Sequence, residues 1–115
     1  MEKQRIIIFG AGNKGKIAVA TLKYEKEILG IIDNDETKWG KKLDGYLIDS
    51  LENSKAFLNS EVLIVIAVVS FAEIVLQLEK AGLHNYKYFE DIYADDFLCK
   101  SREIMDKYIT QTSHT

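Results

Sequence analysis

Gly10, Gly12, Gly15 and Lys16, inside the run FGAGNKGKI from Phe9 to Ile17, are spaced for two kinds of phosphate binding. The three glycines make the G-x-G-x-x-G of a dinucleotide turn, whereas Gly10, Gly15 and Lys16 make the G-x-x-x-x-G-K of a triphosphatase loop. The residue after the lysine decides against the second pattern. A triphosphatase needs a Ser or Thr hydroxyl there for Mg²⁺, and this chain has Ile17. A Walker B carboxylate is missing as well, because the later apolar strand runs through Ala67, Val68 and Val69 into Ser70.

The dinucleotide pattern has its context. An apolar strand precedes Gly10, a helix is expected from Asn13, and Asp33 ends a second strand 21 positions after Gly12. In that arrangement Gly10 permits the tight turn and Gly12 lets bare backbone approach a pyrophosphate. Gly15 lets the helix lie close to the sheet, and Asp33 accepts hydrogen bonds from a ribose diol. Backbone N–H groups and the helix dipole then face the phosphates. Asn34, Asp35 and Glu36 follow Asp33 with no arginine among them, so a 2′-phosphate would meet acids, and NAD or a nucleotide with a free ribose is preferred over NADP. A second reading needs no ligand: Gly15 and Gly10 could be kept for packing alone, leaving an interaction or dimerisation module. Against it stand Lys14 and Lys16, which oppose the dipole in a first helical turn unless an anion is present.

The elements that must position these residues follow from alternating apolar runs and amphipathic stretches, the pattern of βαβ units around a mostly parallel sheet. Strands are expected at Ile6 to Phe9, Ile28 to Asp33, Tyr46 to Asp49, Val62 to Val69 and Tyr86 to Phe89. Helices are expected from Asn13 to about Tyr24, from Asp49 to about Leu58 and from Ser70 to Ala81, stopping at Gly82; a last one carries Phe97, Leu98, Met105, Tyr108 and Ile109. Ser70 with Glu73, and Asp49 with Glu52, have capping-box spacing. The stretch NDETKWGKKLDG reads as a polar connection. The fold class is therefore α/β, a three-layer doubly wound Rossmann-like domain of five mostly parallel strands in the order 3-2-1-4-5. Its ligand site lies at the carboxyl ends of strands one and four, which adds Asn34 and Ser70 to the candidate cofactor-binding residues. The domain is assigned to residues 1–110, with 111–115 a disordered tail.

Composition bounds what else the chain does. With 115 residues there is room for one core, and 47% hydrophobic with 29% charged residues is ordinary for a soluble domain. No apolar run approaches the roughly 20 residues of a membrane span, and the start MEKQRIII has no room for a signal peptide, so cytoplasmic location is the expectation. One cysteine, Cys99, and two histidines, His84 and His114, offer no metal-ligand spacing. Cys99 reads as a small buried hydrophobe and His84 as exposed and inert. A net charge of −3 argues against a nucleic-acid partner. That charge is uneven, with residues 1–26 at +4 and residues 90–106 at −4, which is first of all two solvated faces. Trp39, in so polar a connection, reads as packing against a sheet or helix before it reads as a base-stacking platform.

IIIFGAGNKGK, ILGIIDND and KWGKKLDGYLIDSLE together resemble the Rossmann-like modules of bacterial surface-polysaccharide and nucleotide-sugar pathways. Such modules stand before sialic-acid-type sugar O-acyltransferases and within nucleotide-sugar dehydratases and epimerases. The resemblance implies that NAD or a nucleotide-sugar is bound at Gly10, Gly12, Asn13, Lys14, Gly15 and Asp33. The catalytic parts do not carry over. This chain has no hexapeptide repeats for an acyltransferase β-helix, and no tyrosine has a lysine four positions on, as an epimerase requires. No catalytic residues and no metal ligands are assigned, and the expected partner is a small nucleotide, with a homodimer or a separate catalytic domain.

Overall fold

A computed structural model describes residues 3–92 of the 115. Six strands form one sheet in the order β3-β4-β2-β1-β5-β6. In chain order they are β1 (Arg5–Phe9), β2 (Glu27–Ile32), β3 (Lys42–Leu43), β4 (Tyr46–Asp49), β5 (Leu63–Ile66) and β6 (Tyr86–Tyr88). All pairs are parallel except β3 with β4. Without β3, the order is the expected 3-2-1-4-5.

The added strand is a local product of sequence. Asp44 and Gly45 have φ of 52° and 86°, the paired positive angles of a two-residue hairpin turn, and Leu43 pairs with Tyr46 directly across it. The polar connection thus contains an edge hairpin. A short 3₁₀ turn, Glu36–Lys38, is capped by the Asp35 carboxylate, which accepts from the Thr37 N–H at 3.0 Å and the Thr37 hydroxyl at 2.6 Å.

Strand alternation divides the core into two layers. Ile6, Ile8, Ile31, Leu63 and Val65 face α1 (Asn13–Leu22), where Ala18, Val19 and Leu22 meet them. Ile7, Phe9, Ile32, Ile64 and Ile66 face the other side, against Leu51 of α2 (Leu51–Ser54) and Ile74 and Leu78 of α3 (Phe71–Lys80). Strands β1 and β5 are covered on both faces, which is why their sequences are continuous apolar runs rather than alternating ones. The register of β1 on β2 slips between Ile6 and Ile7, and Leu29, skipped by the slip, is left 40% exposed.

Helix ends differ in detail from their sequence signals. Ser50, not Asp49, is the N-cap of α2: its hydroxyl accepts from Asn53 N–H, while Asp49 accepts from Ser50 N–H and the Asn53 amide. The helix then tightens into a 3₁₀ turn at Lys55–Phe57. Ser70 does precede α3, but with ψ at 61° its side chain makes no cap bond. An N-cap side chain needs extended backbone to reach the N3 N–H, so the Ser70–Glu73 capping box is not formed. Gly82 ends α3 region with φ of 76°, and Leu83 N–H returns to Leu78 at 2.9 Å. The expected last helix and its residues, the acids Asp95 and Asp96, Cys99, and the tail 111–115 lie outside the described residues.

Candidate functional site

The glycine turn leaves the carboxyl end of β1 in the middle of the sheet. Gly10, at φ of 126°, donates to the Ile32 carbonyl at 2.7 Å, and a Cβ there would stand 2.4 Å from the Ala67 carbonyl oxygen. A Cβ on Gly15 would stand 2.0 Å from the carbonyl oxygen of Gly10. Both glycines are therefore fixed by packing: the first turn of α1 lies directly on the strand end. Gly12 is different. Its φ of −88° suits any residue, and among the described residues nothing comes within 4 Å of a Cβ built on it. Among the seven glycines of the chain it alone has neither a positive φ nor a neighbour in that range. It is the N-cap of α1 and offers no side-chain cap, so the first N–H groups of the helix face outward past bare backbone.

Asp33 comes to this turn from the end of β2. One carboxylate oxygen accepts from Ala11 N–H at 2.8 Å, the other from Asp35 N–H at 2.8 Å, and its side chain is 15% exposed. Lys38 Nζ lies 3.9 Å away. Each oxygen has used one of about two acceptor sites, so the carboxylate fastens the glycine turn and still has lone pairs to offer a diol. Sequence spacing found the residue and missed the first of these duties.

Lys14 is not free for a phosphate. It forms an ion pair with Glu90, in the helical turn at residues 89–92, and hydrogen bonding from Lys14 holds the Glu90 carboxyl below the usual glutamate range. Of the two lysines beside the helix start, Lys14 therefore needs no bound anion to balance its charge. Lys16 is exposed at the mouth of a groove with Lys42, Leu43 and the Lys23–Asp44 pair. Asn13 opens α1, and Ser70 is exposed at the far side of the turn, beyond Val68, whose Cγ1 would meet a Cβ on Gly10 at 2.7 Å.

Asn34 is joined to α3. Its amide donates to Gln77 Oε1 at 2.8 Å and accepts from Gln77 Nε2 at 3.0 Å. Trp39 folds back over the same end of the sheet, its indole N–H donating to the Asp33 carbonyl at 2.7 Å, and remains 40% exposed. Gln77 had no sequence signal beyond lying on an amphipathic helix. At the opposite end of the sheet another cavity is lined by Leu58, Val62, Leu83 and Asn85, remote from the glycine turn. His84 stands near it, exposed but not unpartnered, with Nδ1 2.5 Å from Glu79 Oε2. Among the described residues no cluster of His, Cys, Asp or Glu could hold a metal, and no helix is long and apolar enough to cross a membrane.

This fold and turn define a Rossmann-like domain with a glycine-rich loop at the carboxyl end of its central strand. The chain belongs to the family described as C2185-like, N-terminal, whose model matches residues 2–89. It is also 34% identical over 85 residues to the redox-sensing transcriptional repressor Rex of Carboxydothermus hydrogenoformans, a match that covers 68% of this chain and 41% of that protein. The chain therefore spans less than half the length of that relative. Among solved structures it resembles RSP, a Rex-family repressor, in complex with NADH (TM-score 0.56, 17% identity, 92% of this chain and 64% of that one). The same repressor with NAD⁺ and operator DNA matches at TM-score 0.56 and 16% identity, over 92% and 61%. UDP-D-quinovosamine 4-dehydrogenase from Vibrio fischeri matches at TM-score 0.56 and 23% identity, over 82% and 86%.

These likenesses correct the expectation that no nucleic acid is involved. The curated relative is a transcriptional repressor, and a solved structure of the same fold holds operator DNA. A net charge of −3 describes only the surface of this chain, whereas DNA affinity depends on local basic contacts anywhere in the full assembly. The charge of one Rossmann-like domain has no bearing on the remainder of such a protein. The polysaccharide-pathway setting, for its part, is not carried by the repressors.

Proposed function

We propose that this chain is an NAD-binding module in which the pyrophosphate lies against Gly12 at the start of α1 and the adenosine ribose is held by Asp33. The observation that carries the reading is the contrast among the glycines. Packing accounts for Gly10 and Gly15, while the missing side chain of Gly12 has no packing reason among the described residues. A pyrophosphate seated on bare backbone supplies one. Asn13, Lys14, Asn34 and Ser70 border the site, and Lys14 contributes charge only when a phosphate competes with Glu90 for it. The likeness to the Rex repressor supports a module that reports nucleotide binding to the rest of an assembly. The homodimer belongs to the same proposal.

A second reading, a nucleotide-sugar in place of NAD, is favoured by the segment KWGKKLDGYLI and by the likeness to the UDP-sugar dehydrogenase. Calorimetric titration with NAD, NADH and UDP-N-acetylglucosamine separates the two. NAD or NADH should bind without Mg²⁺, and at 100 times its Kd should stabilise the fold by about 2.7 kcal/mol. Binding of the UDP-sugar alone would favour the second reading. No binding of any of the three would leave the loop as packing, and the interaction-module reading would replace both.

A further inference from the structure

We propose that the outward ridge of α3 is the contact face of a homodimer, in which two copies of the helix pair antiparallel across a twofold axis at Leu76. This gives a surface to the homodimer proposed above and does not depend on the nucleotide. Helix α3 turns Ile74 and Leu78 into the core. At about 100° per residue, Leu76 stands about 180° from the line through them, and it is 56% exposed. The flanks of the helix are engaged within the domain. On one side Gln77 is bonded to Asn34 at 2.8 and 3.0 Å. On the other, Phe71 meets the Tyr88 ring edge-on at 4.4 Å, and Glu79 accepts from the Tyr86 hydroxyl at 2.6 Å and pairs with His84 at 2.5 Å. Ala72 and Leu76, one turn apart, are left as an exposed apolar ridge.

Charge sets the orientation of the second copy. Glu73 and Lys80 lie on the same flank of the ridge, about 40 to 60° round from Leu76, the first about 4.5 Å before it along the axis and the second about 6 Å after it. Both are exposed, and among the described residues neither has an ion-pair partner. A twofold axis that passes between two antiparallel helices, perpendicular to both, carries each flank onto the same flank and reverses its height. Glu73 therefore comes opposite the partner's Lys80, and Lys80 opposite the partner's Glu73. On the second flank Glu79, already held by Tyr86 and His84, comes opposite the small side chain of the partner's Ala72. A parallel pair would instead set each charge against its own kind, which is repulsive. A patch that complements itself under a twofold axis is what an isologous dimer requires. The ten residues of α3 span about 15 Å, so their pairing buries less than the roughly 1,200 Å² of a standard interface, and the dimer is a weak, concentration-dependent one.

Sedimentation velocity on the full chain, over a series from low micromolar to near-millimolar concentration, reads the association; urea melts at the lowest concentration and an NAD titration accompany it. Wild type should pass from monomer to dimer within the series, and high salt should move the transition to higher concentration. Leu76→Glu should stay monomeric with an unchanged unfolding midpoint, because the position is exposed in the monomer. Glu73→Lys and Lys80→Glu should each dimerise about tenfold more weakly than wild type. An equimolar mixture of those two, and the double variant Glu73→Lys/Lys80→Glu, should recover the association, since each restores both cross-pairs. Wild type that stays monomeric throughout overturns the interface. So does a midpoint that falls in monomeric Leu76→Glu, which would mean that the ridge is covered by the same chain. Dimerisation that survives Leu76→Glu, or single variants that do not recover on mixing, overturns this face and moves the homodimer to another. Failure of wild type to bind NAD would strike the Gly12 site and leave the interface standing.

Discussion

Gly12→Ala is the substitution whose two consequences diverge most. Its backbone, φ −88° and ψ −155°, is open to alanine, and a new methyl meets nothing within 4 Å. Reduced freedom of the unfolded chain favours the mutant by about 0.4 to 1 kcal/mol. Against that, alanine is a poorer N-cap than glycine, at a cost of the same order because it shields the first N–H groups from water. The net change in stability should lie within about 0.5 kcal/mol, or a few degrees in Tm for a domain of this size. Gly15→Ala is the contrast. Its methyl would sit 2.0 Å from the Gly10 carbonyl oxygen, backbone against backbone, so α1 must lift from the strand at a cost of about 1 to 3 kcal/mol or more. NAD titration and a urea melt on the same preparations decide the matter. Gly12→Ala should keep the wild-type midpoint and lose NAD binding, whereas Gly15→Ala should lose stability first. An alanine variant at Gly12 that binds NAD as tightly as wild type would refute the pyrophosphate position. One that melts as early as Gly15→Ala would refute the geometry of the turn.

Asp33→Ala should lower both affinity and stability, by about 1 to 3 kcal/mol for the latter, because the Ala11 N–H it satisfies at 2.8 Å is left unpaired in a buried segment; a mutant with wild-type melting would show that the carboxylate does not fasten the turn. Glu90, whose carboxyl is lowered by hydrogen bonding from Lys14, contributes stability that is present above the ordinary glutamate value of about 4.3 and is lost as pH falls through its depressed folded value. Glu90→Gln should therefore melt slightly lower than wild type at neutral pH, by less than about 1 kcal/mol for so exposed a pair, and the two should converge in acid. A difference that grew as the pH fell would contradict the pairing. Gly45→Ala, at φ of 86° in the β3–β4 turn, should destabilise by about 1 kcal/mol or more without changing NAD affinity, measured by melt and titration together.

The sequence by itself determined the class and order of the fold, because those depend on local periodicity. The apolar runs of β1 and β5, the glycine turn and the Gly82 stop each act within a few residues of the chain. It also carried the Asp44–Gly45 hairpin signal, though within a stretch too polar to show strand alternation. Only the tertiary structure decided what the site residues touch. Lys14 meets Glu90, Asp33 meets Ala11, and Asn34 meets Gln77 across 43 positions. Such partners are chosen by sheet register and by how the helices seat on its two faces, which no short window of sequence contains. The same holds for the glycines. Three in one turn look alike in sequence, and it takes the Gly10 carbonyl beneath Gly15 and the empty space above Gly12 to tell packing from an opening for a ligand.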